Sequence, residues 1–580
     1  MGHPSEAQQE EEVVRVVAED DERLKMLGYT PVLRRAWSGF STLCIVLSSM
    51  SVLTSIIASF DVALVYGGPA VAVWGWVGVS ACVFCVALSM AELSSAYPTS
   101  AGMLYWCFRL VEPRWAHFTS WMAGWLNVVA QVSGNSAQCA LQADLTITLV
   151  SMVAAYQGRP APTFSPGETY GIFAAWVLAA SVANSLGDTI NIKLNQLGGM
   201  LNVWGAVALM VIIPAVATRH QPAGYVFGHF ERAQAAAEGI TNPIYIAALG
   251  LLLPAWAYTG LDSAQYMAEE TFAATHAQPR AILLGAASMF ALGLALVVSL
   301  LFSMPSLAAV VDEGSVSGGY ALAQILYDVF AARTGSPLGG ILLFAALPFA
   351  GVFLCSMSSM TYTARICFAY GRDRLLPFGG WWGAFNYRTR TPQNAVWGVT
   401  ALSLSLGLPM LGSSVAFESL LSLSTTALFL LYAGPATLRI TVGRRRFRPG
   451  AFSLGRWAYA CGAAATAWWA FSLVVFSLPT VLPVSAGSFN YAPLTLVGTL
   501  GLAAAWYALP CIGGAARYAG PAFDVAAFED ALAHGASGEA AEAAAAAAGA
   551  ATLCGGGGGG DDKQKGAGAG PARVALVASA

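Results

Sequence analysis

Two stretches place hydrogen-bonding groups where the surrounding sequence is apolar. The first is Ser48-Ser49-Met50-Ser51-Val52-Leu53-Thr54-Ser55, with five hydroxyls in eight residues. Backbone at bilayer depth must satisfy its own polar groups unless it lines a cavity. Two readings stay open for this stretch. Either the helix unwinds, so that freed N–H groups and hydroxyls bind a ligand, or it is continuous and the serines bond back to the preceding turn or pack closely on a neighbour. The second stretch is Pro254-Ala-Trp-Ala-Tyr258-Thr259-Gly260-Leu261-Asp262-Ser263-Ala264. Pro254 removes a helix donor and Gly260 relaxes the backbone. Asp262 is costly in lipid and has to face protein or water. It either serves a ligand site or caps a restarted helix by accepting its N–H bonds.

The two interruptions fall five apolar runs apart. Carriers built from inverted repeats put their midplane site where helices in corresponding positions are broken. Half-helix N-termini attract a carboxylate, and opposing carbonyl ends attract an ammonium. A zwitterionic amino acid matches that arrangement of charge. Other ionisable groups inside apolar runs are Asp144, Glu418 and Asp61. Each either serves the path, as lining or as a proton carrier, or caps a helix near an interface. Glu269-Glu270 closes its run and is expected to be a solvated helix end.

The elements that must hold these groups follow from composition. Of 580 residues, 57% are hydrophobic and 10% are charged, whereas a soluble domain is about 25% charged. The chain reads as an all-α membrane protein. Runs of about 20 apolar residues occur near 38–64, 71–94, 117–151, 168–187, 194–217, 242–268, 281–305, 339–370, 393–411, 414–436, 457–479 and 491–511. That predicts twelve transmembrane helices within 37–518. It also predicts a cytosolic N-terminal tail over 1–36 and a disordered, low-complexity cytosolic tail over 519–580. With residue 1 in the cytosol, Arg34, Arg35, Arg109, Arg114, Arg280, Arg372, Arg374 and the run Arg444-Arg445-Arg446 all fall on the cytosolic side. Residues 320–330 have an amphipathic spacing and are expected to lie on the outer face as a helix.

Several functions are excluded or left without support. A net charge of −3 offers no basic surface for nucleic acid. Cys82 and Cys85 have metal-ligand spacing, but they lie mid-run with no second pair, so packing explains them and no metal site is expected. No phosphate-binding Gly-x-x-x-x-Gly-Lys-Ser/Thr and no paired catalytic groups are present, so neither ATP-driven pumping nor enzymatic activity is expected. No cofactor is implied; H+ and Na+ are the candidate coupling ions. The acidic N-terminus lacks a transit composition, which favours the plasma membrane or an endomembrane such as vacuole or Golgi.

At this point a resemblance enters. Ser89-Met-Ala-Glu92, Tyr97-Pro-Thr-Ser-Ala-Gly102, Ser120-Trp-Met-Ala-Gly-Trp-Leu-Asn127, Thr259-Gly-Leu-Asp262, Glu269-Glu-Thr271, Gly371-Arg-Asp373 and Asn394-Ala-Val-Trp397 occur in order. The chain resembles the amino acid–polyamine–organocation superfamily, in the branch of plant bidirectional amino acid transporters and fungal GABA and choline permeases. That implies a LeuT-like fold, two inverted five-helix repeats plus two helices, and transport of small amino acids or related amines by alternating access. A non-transporting sensor with the same fold is the rival. By position, Ser51, Leu53, Thr54 and Ser55 would meet the carboxylate of the substrate. Tyr258, Thr259 and Gly260 would offer carbonyls to the amine, and Asp262 would hold the break. Asn127 and Gln131 match polar positions, while Glu92 and Arg372 would belong to an inner gate. The chain departs from the pattern at Leu261, Tyr266 and Glu418, so the resemblance does not carry the identity of the cargo.

Overall fold

Apolar runs that cross lipid must close their backbone hydrogen bonds internally, and in the computed structural model of this protein they do so as helices. The structure describes residues 6–521 except 30, 32, 313, 413, 486–488, 511–512 and 519; the side chains of 6–14 and 414–422 also fall outside it. The expected tail over 519–580, apart from Gly520 and Pro521, lies outside the described residues. Among the described residues, nine helical stretches are long and apolar enough to cross a membrane: Gly39–Val65, Gly68–Ala96, Pro113–Tyr156, Asp188–Val216, Pro243–Glu270, Ala274–Ser303, Leu338–Arg372, Gln393–Leu411 and Trp457–Val475. The three other apolar runs fall on the helices Pro166–Ser185, Ser414–Ile440 and Ala492–Ala508. No strand forms among the described residues; three isolated bridges are present.

Local chemistry sets the boundaries. Pro166–Ser185 opens with Ser165 and Glu168 in a reciprocal cap and Pro166 in the first turn. Gly68–Ala96 likewise starts on Pro69. Burial sets the layers. Gly39–Val65 is the most enclosed, with 83% of its apolar window buried, against 33% for Asp188–Val216. Small residues let these two approach. A Cβ on Gly199 would stand 2.7 Å from the Cys44 carbonyl oxygen, a spacing that only glycine permits. Pro113–Tyr156 has 44 residues, about 66 Å at the helical rise. It therefore runs past the roughly 30 Å hydrocarbon layer and carries Asn127 and Gln131 near its middle.

The arginine-bearing loops meet at one end. Ser95 Oγ donates to the Thr275 carbonyl at 2.8 Å, and the Asp188 N–H donates to the Thr389 carbonyl at 3.1 Å. The second half of the expected N-terminal tail docks there. Glu6–Met26 is helical, and Leu24, Leu27 and Tyr29 are buried. Asp20 accepts the Ala273 N–H at 2.8 Å, and Asp21 pairs with Arg35 at 3.0 Å. At the opposite end, Ala321–Thr334 is a helix, but it is sunk into the protein: Leu322, Ile325, Leu326 and Val329 are all buried.

Candidate functional site

The first interruption is one residue wide. Gly39–Met50 ends and Val52–Val65 begins at Ser51, whose φ of 37° and ψ of 96° are not helical. Ser51 caps the restart, accepting from the Thr54 N–H at 3.2 Å. Its hydroxyl also pairs with Thr54 Oγ1 and donates to Asn202 Oδ1, each at 2.6 Å. Both earlier readings hold in part: the helix is broken, yet most of its serines bond back or pack. Ser55 Oγ donates across the break to the Met50 carbonyl at 2.9 Å. Ser49 Oγ bonds back to Ile45 and reaches Ser263 Oγ. Leu53 points away from the second break, packing where Gly205 and Gly351 leave room.

The second interruption is wider. Short helices Pro243–Gly250 and Leu252–Ala257 give way to a turn through Gly260, then to a 3₁₀ segment, Leu261–Glu270. Gly260 has φ of 90°, a region open to glycine. It also abuts the first break: a Cβ there would lie 3.0 Å from Ser49 Cβ and 3.1 Å from the Ser49 carbonyl oxygen. The two interruptions therefore touch.

Asp262 sits at that junction, 1% exposed. The residue at the cap position of the restart is Gly260, which has no side chain. The Asp262 carboxylate is held by side chains from two other elements and one from its own segment. Tyr432 OH donates to Oδ1 at 2.7 Å, while Tyr266 OH and Gln131 Nε2 reach Oδ2 at 2.9 and 2.7 Å. Tyr432 OH also accepts the Gly260 N–H at 3.1 Å, so one hydroxyl clamps both the turn and the carboxylate. Asn127 continues the network to Tyr266 and Tyr370, at 2.9 and 2.7 Å. Tyr258 OH donates to Ser80 Oγ, and Thr259 bonds back to Trp256. The donors to Asp262 are all neutral, and no cation pairs with it among the described residues. A buried carboxyl held by neutral donors alone has no opposite charge beside it, and an ammonium is the chemistry that complements it. A small cleft behind the first break, lined by Leu47, Met50, Val52, Asn202, Gly285 and Met289, is a poor rival. Its one polar side chain already serves Ser51.

The arginine-rich end is built differently. Glu269 and Glu270 were expected to be a solvated helix end, and this is corrected: they are 2% and 4% exposed. Arg372 grips Glu269 with two bonds of 2.8 Å, and Arg365 holds Glu270 at 2.9 and 3.3 Å. Closing a run with two carboxylates suggested solvent; two arginines arriving from Leu338–Arg372 supplied the compensation instead. Tyr29 covers the first pair, with its ring 4.3 Å from the Arg372 guanidinium and its hydroxyl donating to Asp373 at 2.9 Å. Glu92 is not brought to this cluster. It pairs with Arg439 at 3.6 Å and accepts from Ser453 and the Leu454 N–H. Asp144 accepts from Tyr320 OH at 3.4 Å toward the opposite end, far from Asp262 along its helix. Asp61 is on that side too, part-buried, with no partner for Oδ1 among the described residues. The side chain of Glu418 lies outside the described residues.

Tyr432, Tyr370, Asn202 and Arg365 escaped the sequence reading. One signal was available. A tyrosine or arginine well inside an apolar run, rather than at its end, is out of place in lipid and implies a polar partner.

Broken helices abutting around a buried carboxylate, inside a bundle of apolar helices, define a multi-pass membrane carrier. The chain belongs to the amino acid permease family, whose model matches residues 38–500. It is 36% identical to amino-acid permease BAT1 of Arabidopsis thaliana over 487 residues, covering 84% of this chain and 93% of that one. It is 35% identical to the BAT1 homolog of Oryza sativa subsp. japonica over 476 residues, covering 82% and 91%. Amino-acid permease 2 of Neurospora crassa is 28% identical over 476 residues, covering 81% and 84%. These relatives are permeases, not enzymes.

Proposed function

We propose that the protein moves small amino acids across a membrane by alternating access, with GABA as one candidate cargo. Twelve helices cross the membrane, ten of them as two inverted five-helix repeats, and the arginine-rich end faces the cytosol. The substrate sits between the two interruptions. Its ammonium is drawn to the carbonyls of Tyr258, Thr259 and Gly260 beside Asp262, and its carboxylate to the capped restart at Ser51–Ser55. Gln131 fixes Asp262 from the long helix, and Asn127 does so through Tyr266. In the closed arrangement the Arg372–Glu269 pair shuts the cytosolic side; opening requires that pair to part as ligand shifts the population of states.

The observation that carries this reading is the contact between the breaks: Gly260 against Ser49, with Asp262 held by Gln131, Tyr266 and Tyr432. Purified protein in liposomes, given labelled amino acids, GABA, choline and polyamines with and without a pH gradient, tests it. Uptake or exchange of at least one amino acid is expected. Folded protein that moves none of them refutes it, and uptake confined to choline or polyamines moves the cargo to another class of amine.

A further inference from the structure

Between Asp262 and the Arg372–Glu269 pair lies a group of polar atoms that none of the described residues satisfies. Gln265 is 1% exposed, and neither its amide nitrogen nor its oxygen has a hydrogen-bond partner. Thr99 Oγ1 and Ser100 Oγ, on residues also 1% exposed, are likewise unpaired. The three are neighbours. Gln265 Nε2 lies 3.0 Å from where a Cβ on Gly102 would stand. The Ser100 N–H donates to Glu269 Oε1 at 3.1 Å, on the same 3₁₀ segment as Gln265. Gln265 comes one 3₁₀ turn after Asp262, so the group continues the line from the centre toward the ion pair.

Native proteins seldom bury a whole carboxamide without a partner, and those that do usually use it. An apolar side chain of the same length would fill the position without that cost. A group with no partner in one conformation is explained if it gains one in another. Here the other conformation is the one in which Arg372 and Glu269 part. The exposed surface would then carry an amide and two hydroxyls. These are neutral, and offer both donors and acceptors.

We propose that Gln265, Thr99 and Ser100 form a second polar subsite on the arginine-rich side of Asp262, which a zwitterionic amino acid occupies in passing. The proposal rests on the transport reading above. The Gln265 oxygen accepts from the ammonium of the ligand, and its N–H groups donate to the carboxylate, helped by either hydroxyl. Having no net charge, the subsite holds the zwitterion more weakly than the centre does, so it eases passage without trapping.

Gln265→Met tests this, because the two explanations predict different pairs of readouts. A liposome exchange assay uses a labelled mixture of the twenty common amino acids and GABA, beside equilibrium binding of the same mixture and a melting curve. The subsite predicts exchange slowed about three- to tenfold, the loss of roughly one hydrogen bond. Binding at the centre stays unchanged, and Tm is equal to or above that of the wild type because an unpaired amide has gone. Thr99→Val slows exchange in the same direction. Unchanged exchange in Gln265→Met overturns the subsite, and so does slowed exchange that comes with a lowered Tm. If folded wild-type protein exchanges nothing, the transport reading itself fails and the subsite with it.

Discussion

The centre and the arginine-rich end both bury carboxylates, but they neutralise them by different means. Asp262 is held by two tyrosine hydroxyls and one amide. Glu269 and Glu270 are each held by an arginine through two charge-assisted bonds. Neutral donors leave the charge of the carboxylate available to a ligand. Arginines cancel it, and the pair has to separate as a unit. The proposed ligand centre and the proposed closure differ in that respect, and the ten-residue segment Leu261–Glu270 carries both solutions.

The largest expected effect comes from forcing the centre apart. In Gly260→Leu, a side chain enters a left-handed conformation, costing about 1–2 kcal/mol. It also meets Ser49 at 3.0 Å, adding about 1–3 kcal/mol of overpacking. Transport should fall on the order of a hundredfold, while insertion and monodispersity persist. Near-normal exchange would show that the breaks need not touch.

Next comes the closure. Arg372→Glu sets two carboxylates face to face beneath Tyr29. A cysteine placed at Ala101, which is fully buried, should then react with a water-soluble thiol reagent about tenfold faster, as expected when one partner of a buried pair is lost. Adding Glu269→Arg should restore protection. Equal labelling in all three forms would remove the pair from the gate.

The legible part of this architecture was the part written in periodicity and cost. Apolar runs marked the helices, and Ser51 and Gly260 stood within the stretches singled out because hydroxyls, glycine and a carboxylate are expensive there. What stayed hidden were partners distant in sequence. Tyr432 lies 170 residues from Asp262, and no local pattern announces that its hydroxyl will bridge carboxylate and Gly260. Glu270 looked solvated because Arg365 arrives 95 residues later. The N-terminal segment looked like a plain tail because Leu24, Leu27 and Tyr29 are spaced too irregularly to signal docking.

Tyr432→Phe tests that hidden partner. It removes a single hydroxyl, yet unpairs the Gly260 N–H and takes one donor from Asp262. Leaving one buried group unsatisfied costs about 1–3 kcal/mol, so transport should drop roughly tenfold and Tm should fall. The companion Tyr370→Phe touches Asn127 but not Asp262 and should cost less. If the two are equal, the hydroxyl of Tyr432 is no clamp.

The smallest effect concerns pH at the closure. Burial pushes Asp373 up to about 6, although Arg372 and the Tyr29 hydroxyl pull it down and Glu269 adds to the rise. Undocking uncovers the carboxyl and removes the burial that raises it, so the docked form holds a proton that undocking releases. Docking of the Tyr29 segment is strongest at low pH and weakens as pH rises through about 6. A cysteine at Leu27, buried when docked, should label about threefold faster at pH 7.5 than at pH 5, after correction for the reactivity of the thiol itself. Asp373→Asn should flatten that dependence, because Arg372, Tyr29 and Glu269 remain and only the titrating group is gone. A pH dependence that survives Asp373→Asn would assign the effect to Asp20, whose carboxyl burial also raises and which holds the same segment to the Ala273 N–H.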